Sequence, residues 1–121
     1  MSETPRLLHD RDLFEAVLVR VRELNPIVRE GAVFGYPAIF LGHRVVLCVY
    51  GSGIGIRLPP DYAQRLVDAG LAFHFQPYGR STMREWVEMR VARERLDQLA
   101  PVFSEAIRFV ETVDGDTGHP L

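Results

Sequence analysis

The chain contains no lysine: all 14 of its basic residues are arginine. Arginine's planar fork suits bidentate contacts. A function would select particular arginines rather than exclude lysine everywhere, and the abundance of alanine, glycine and valine fits GC-rich coding instead. Cysteine is almost absent too. Cys48 stands alone, which excludes an intramolecular disulfide and leads us to expect a reducing, cytoplasmic setting. Long apolar runs are missing: none approaches the ~20 residues of a membrane span, and residues 1–6 hold no apolar stretch of the kind a signal peptide needs. Charge of one sign is not in excess either. A net charge of -2 speaks against a nucleic-acid partner, because phosphate neutralisation needs clustered positive charge.

What remains is an ordinary globular composition, 47% hydrophobic and 25% charged over 121 residues. That length suits one domain, and it buries roughly two-thirds of the unfolded surface without staples. We expect a single domain over residues 1–121, with a core from about 10 to 112 and tails at 1–8 and 113–121.

Hydrophobic spacing supplies the elements. In residues 10–24, Leu13, Phe14, Val17, Leu18, Val21 and Leu24 recur at intervals of three and four, one stripe of an amphipathic helix that Asn25-Pro26 ends. Residues 32–41 read as one strand with Gly35 and Pro37 inside it, the proline implying an edge, a bulge or the strand's first residue. Residues 43–50 are continuously apolar from Val45 to Tyr50, as a strand covered on both faces would be. Gly51-Ser52-Gly53 turns the chain, and Ile54, Ile56 and Leu58 alternate with Gly55 and Arg57. Pro59-Pro60 opens a second helix that Gly70 closes. Residues 71–75 and 85–91 read as two more strands, with Val87, Met89 and Val91 on one side and Trp86, Glu88 and Arg90 on the other. A last helix over residues 97–112 carries Pro101 in its first turn. The expected fold is α+β: a five-stranded antiparallel sheet with helices packed on it, in the order α-β-β-β-α-β-β-α.

Three blocks within residues 33–91 carry a family resemblance. They are Phe34-Gly35-Tyr36-Pro37-Ala38-Ile39-Phe40-Leu41-Gly42, Ile56-Arg57-Leu58-Pro59 at a strand-to-helix junction, and Gly79-Arg80-Ser81-Thr82-Met83-Arg84-Glu85-Trp86-Val87. Together they resemble the TfoX/Sxy N-terminal domain family. Ser81-Thr82 stands where that family has one proline, and Val33 where it has methionine. The resemblance implies a secretion-chaperone-like fold, a twisted antiparallel sheet with helices against it. The family takes its name from regulators of competence for DNA uptake that carry a second, C-terminal domain, so this chain is expected to be a stand-alone version. It offers no catalytic residues to carry over.

Each chemistry-bearing feature has a plain reading beside its functional one. Cys48 sits in an apolar strand with no histidine near it in sequence, so it reads as a small hydrophobe and not a nucleophile. His9, His43, His74 and His119 match no metal-ligand spacing. Gly51-Ser52-Gly53-Ile54-Gly55 leads into a strand rather than a helix, so it is a turn with close packing and not a phosphate cradle. Arg80, Arg84, Arg90, Arg93 and Arg95 surround Trp86 as in single-strand binders, but Glu85, Glu88 and Glu94 interleave and cancel the field. The acidic pairs Asp10/Asp12 and Asp114/Asp116 lie near the termini, away from any cleft that would tune them.

No catalytic, cofactor or metal site is therefore expected. The expected role is a non-enzymatic regulatory or protein-interaction module with a protein partner or a second copy of itself. Its interaction surface is expected at Gly79, Arg80, Met83, Glu85, Trp86, Glu88 and Arg90, where Trp86 and Arg90 are typical interface anchors. The alternatives are a small-molecule-binding domain using an open sheet face, and a weak nucleic-acid-associated regulator of the competence type.

Overall fold

The computed structural model describes residues 10–77 and 83–113. The first helix, α1 (Arg11–Leu24), begins where Asp10 accepts a hydrogen bond from the Leu13 N–H at 3.0 Å. Its buried stripe is Leu13, Phe14, Val17, Leu18 and Val21; Leu24, at the last turn, is exposed. At the far end the Asn25 side chain accepts from the Ile27 N–H and turns the chain toward the sheet.

Residues 32–41 are not one strand but parts of two. β1 (Arg29–Val33) and β2 (Tyr36–Leu41) form a hairpin whose turn is Phe34-Gly35. Both turn residues hold positive φ, 56° and 80°, the type I′ pattern whose twist matches the flanking strands. Pro37 faces Ala32 on β1, and pairing with the next strand begins only at Ala38. The missing proline N–H therefore falls outside the β2–β3 ladder.

β3 (Arg44–Tyr50) and β4 (Gly53–Arg57) continue the antiparallel meander. One extra residue, Val46, bulges from β3 between the partners of Ile39 and Phe40. The bulge turns Val46 to the same side as Leu47, and both join the larger core. After β4 comes α2 (Pro60–Asp68), with proline at its N-terminal turn. Gly70 closes it at φ 76°. Its N–H reaches the Val67 carbonyl while the Leu71 N–H reaches that of Leu66, a complete Schellman motif.

The last two strands are shorter than their sequence suggests. β5 (Phe73–His74) is a two-residue edge, and β6 (Trp86–Met89) runs between it and β4. Among the described residues the sheet thus has six strands, all antiparallel, in the order β1-β2-β3-β4-β6-β5. This corrects the expected five-stranded sheet: the hairpin hidden in residues 32–41 supplies the sixth. A 3-10 segment, Arg93–Leu99, precedes α3 (Ala100–Thr112), so the final α-helix starts three residues later than its apolar spacing implied, with Pro101 in its first turn.

One face of the sheet packs against α1 and α3. Ile39, Leu47, Val49, Ile54, Ile56, Val87 and Met89 meet Phe14, Val17, Val21, Phe103, Ala106 and Val110 in one buried core. Each large side chain buried there contributes about 1.5–3 kcal/mol. Arg44 adds a polar clasp, its guanidinium donating to the Val110 carbonyl in the last turns of α3 at 3.3 Å, where carbonyls lack helical partners. Everything that positions the candidate site lies on the other face.

Candidate functional site

Strand alternation sends a second set of side chains away from the helices. Tyr36, Ala38 and Phe40 come from β2, Cys48 and Tyr50 from β3, and Trp86 and Glu88 from β6. Across β3, β4, β6 and β5 the row reads Cys48, Gly55, Glu88, Phe73. Two glycines make this face flat. A Cβ on Gly55 would stand 2.8 Å from the Phe75 ring, and one on Gly53 would stand 2.7 Å from the Glu88 carboxylate. Glycine here lets another group lie directly on the strand.

Phe75 is that group. It follows β5, is fully buried, and joins a second, smaller cluster with Ala38, Cys48 and Trp86. Its ring meets Tyr50 edge-on at 5.2 Å, Trp86 at 5.4 Å and Phe34 at 6.0 Å. Phe34 also meets Trp86 at 6.0 Å, and Tyr36 meets Tyr50 at 4.9 Å. All of these separations lie in the range where aromatic pairs attract. Val33, Phe34, Phe40, Val45, Tyr50 and Met83 surround this centre half-buried. The result is a hydrophobic layer one side chain thick, apolar both toward the sheet and at its rim.

Phe34 reaches this layer at a cost. A non-glycine residue at φ 56° is strained by about 1–2 kcal/mol. At the tip of the hairpin that conformation carries its ring over Phe75 and Trp86.

The polar members are few and tied down. Glu88 is only 7% exposed, and its Oε2 accepts from Arg90 Nε at 3.0 Å and Nη2 at 2.9 Å. Arg90 in turn lies 6.0 Å from the ring of Phe73, which is 61% exposed. Cys48 is fully buried. Desolvation pushes its thiol up to about 12, with the Glu88 charge adding to the rise and a Gly55 backbone hydrogen bond opposing it. The thiolate that a nucleophile needs is thus disfavoured at neutral pH.

The expected interaction residues are distributed unevenly. Gly79 and Arg80 lie outside the described residues, as do His9, His119, Asp114 and Asp116. Met83 packs half-buried at the rim of the aromatic layer. Glu85 bonds Arg57 at 3.2 Å. Trp86 and Glu88 do share one side of β6, but both are buried; among the described residues expected at the interaction surface, Arg90 alone is exposed. Nor is the second sheet face open, because the chain's own rings cover it. Sequence reasoning missed Phe34, Tyr50 and Phe75. The available signal was the pair Gly53 and Gly55 within a strand, which marks a close approach by something else.

Elsewhere, Asp10 is the α1 cap and Asp12 pairs with Arg93 at 3.6 Å. His43 and His74 are exposed, and no group of three or more metal-ligating side chains converges among the described residues. None of the described helices is long and apolar enough to cross a membrane. In comparisons with known proteins, the chain matches no protein-family model, no curated protein and no solved structure.

Proposed function

We propose that the chain is a TfoX/Sxy N-terminal-like domain acting as a non-enzymatic regulatory or interaction module, and that it docks a protein surface on its aromatic sheet face. One observation carries the reading: six half-buried apolar side chains ring the buried Phe75–Trp86 pair, on the side of the sheet that no helix among the described residues covers. Contiguous apolar surface of this kind marks contact sites, and aromatic residues are enriched at their centres. The strained Phe34 adds weight, since strain of this sort clusters where function maintains it. The three sequence blocks that resemble the family support the assignment, and two of them border this face through Phe34, Met83 and Trp86. A second copy of the chain is the simplest occupant.

The test is Phe34→Asn. Asparagine tolerates positive φ, and Asn-Gly is the favoured pair for a type I′ turn. The variant therefore keeps the hairpin and its melting temperature to within a few degrees while the ring is lost. Wild-type protein is expected to sediment as a dimer, or to retain a partner on an affinity column, and the variant to lose that association. Wild-type protein that stays monomeric and captures the same proteins as the variant overturns the reading.

A further inference from the structure

On the α2 side of β6, the helix, β5 and the start of β6 enclose a half-open cleft of about 170 Å³. Val67 from α2 and Trp86 from β6 give part of it an apolar lining. Two exposed residues of opposite charge border the same cleft, Asp61 in the first turn of α2 and Arg84 just before β6. They form no ion pair with each other, and among the described residues neither takes part in one elsewhere. Gln64 also borders the cleft, but its amide is engaged by Asp68 at 2.8 Å. His74 adds an imidazole that offers a further donor or acceptor.

A carboxylate and a guanidinium that flank one crevice of mixed polar and apolar lining, without closing on each other, leave a gap of defined polarity. Arginine's fork takes a carboxylate in bidentate fashion, and Asp61 takes a cation. A ligand that satisfies both carries an anion and a cation close together, with an apolar body between them and the cleft wall. Size narrows the class. The cleft falls short of the ~300–1,000 Å³ of drug-sized sites, holding the volume of roughly six waters at ~30 Å³ each. A half-open cleft of this volume encloses a small molecule, and only part of a nucleotide or larger cofactor.

We propose that this cleft binds a free α-amino acid with an apolar side chain, its carboxylate on Arg84, its ammonium on Asp61 and its side chain against Trp86 and Val67. The cleft shares Trp86 and Met83 with the aromatic face, but its charged residues Asp61 and Arg84 are not part of that face, and docking there is tested separately at Phe34.

The experiment is an amide-resolved NMR titration of the full chain with L-leucine and with two analogues that each lack one charge, isocaproate and isoamylamine. Leucine is expected to shift the amides of α2, β5 and β6 and the indole N–H of Trp86, saturating with a dissociation constant on the order of 1 mM or tighter. Each analogue binds about 10-fold more weakly. Arg84→Gln weakens leucine by about the same factor and leaves isoamylamine unchanged, whereas Asp61→Asn weakens leucine and leaves isocaproate unchanged. Both positions are exposed, so the variants are expected to fold, which unshifted amides in α1 and α3 verify. Absence of saturable shifts at leucine concentrations on the order of 10 mM overturns the proposal. So does equal binding of all three compounds with no effect of either variant, which reduces the cleft to a non-selective apolar crevice.

Discussion

Cys48 shows how one buried atom links the second core to pH. Burial holds its thiol protonated in the folded state up to about 12, against 9.0 when the group is free. The folded chain therefore keeps a proton that the unfolded chain has already released. The stability this protonated thiol carries is complete below about pH 9 and is lost progressively as pH rises toward about 12. Within that window wild-type unfolding free energy should fall by about 1.4 kcal/mol per pH unit more steeply than that of Cys48→Ala. Urea titrations at a series of alkaline pH values measure the difference, and parallel slopes for the two proteins would show that the thiol titrates normally in the fold. At neutral pH the same burial makes thiol-directed reagents slow until denaturant is added.

At the level of elements, the caps are the cheapest to test. Asp10 caps α1 through its side chain, while its own N–H donates to the Gly51 carbonyl at 3.1 Å in the β3–β4 turn. Asp10→Ala removes the first contact and keeps the second, so the expected loss is about 1 kcal/mol, a few degrees in melting temperature. Asp10→Asn should restore most of it. An alanine variant that melts like wild type means the helix start is held by packing alone. The α1 stripe, the period-two alternation of Ile54 and Ile56, and the glycine stop of α2 could all be read from the sequence, because each depends on neighbours within a few residues. The β1–β2 hairpin could not be read in the same way. Phenylalanine is not a turn residue, and tertiary contacts, those with Phe75 and Trp86 among them, hold Phe34 at positive φ. The site was half legible for a similar reason. Alternation assigned Trp86 and Glu88 to one side of β6, but their burial depends on rings from distant segments that carry no periodicity of their own.

The whole molecule is a sheet with a core on each side, a large one under α1 and α3 and a small aromatic one opposite. The two share β2, β3, β4 and β6, so neither can come apart without disturbing strands the other needs. Trp86 is the single tryptophan of the chain and reports on the small core, while far-UV circular dichroism is dominated by the helices of the large one. Thermal and urea transitions followed by the two probes are expected to coincide. A fluorescence transition at lower denaturant would mean that the aromatic layer opens as its own unit, and that a docking partner meets it in an opened form.

The two edges of this sheet are unequal. β1 ends it with five residues, whereas β5 ends it with two. A strand of five residues has backbone donors and acceptors enough to pair with another chain; two residues offer almost none. An association of two copies that extends the described sheet is therefore expected to join β1 to β1, with Arg29 and Glu30 of each copy near the seam. Such a joint consumes the usable edge of both molecules at once. Growth along the hydrogen-bonding direction stops at the pair, and the route by which open sheets lengthen into fibres is closed by the brevity of a single strand.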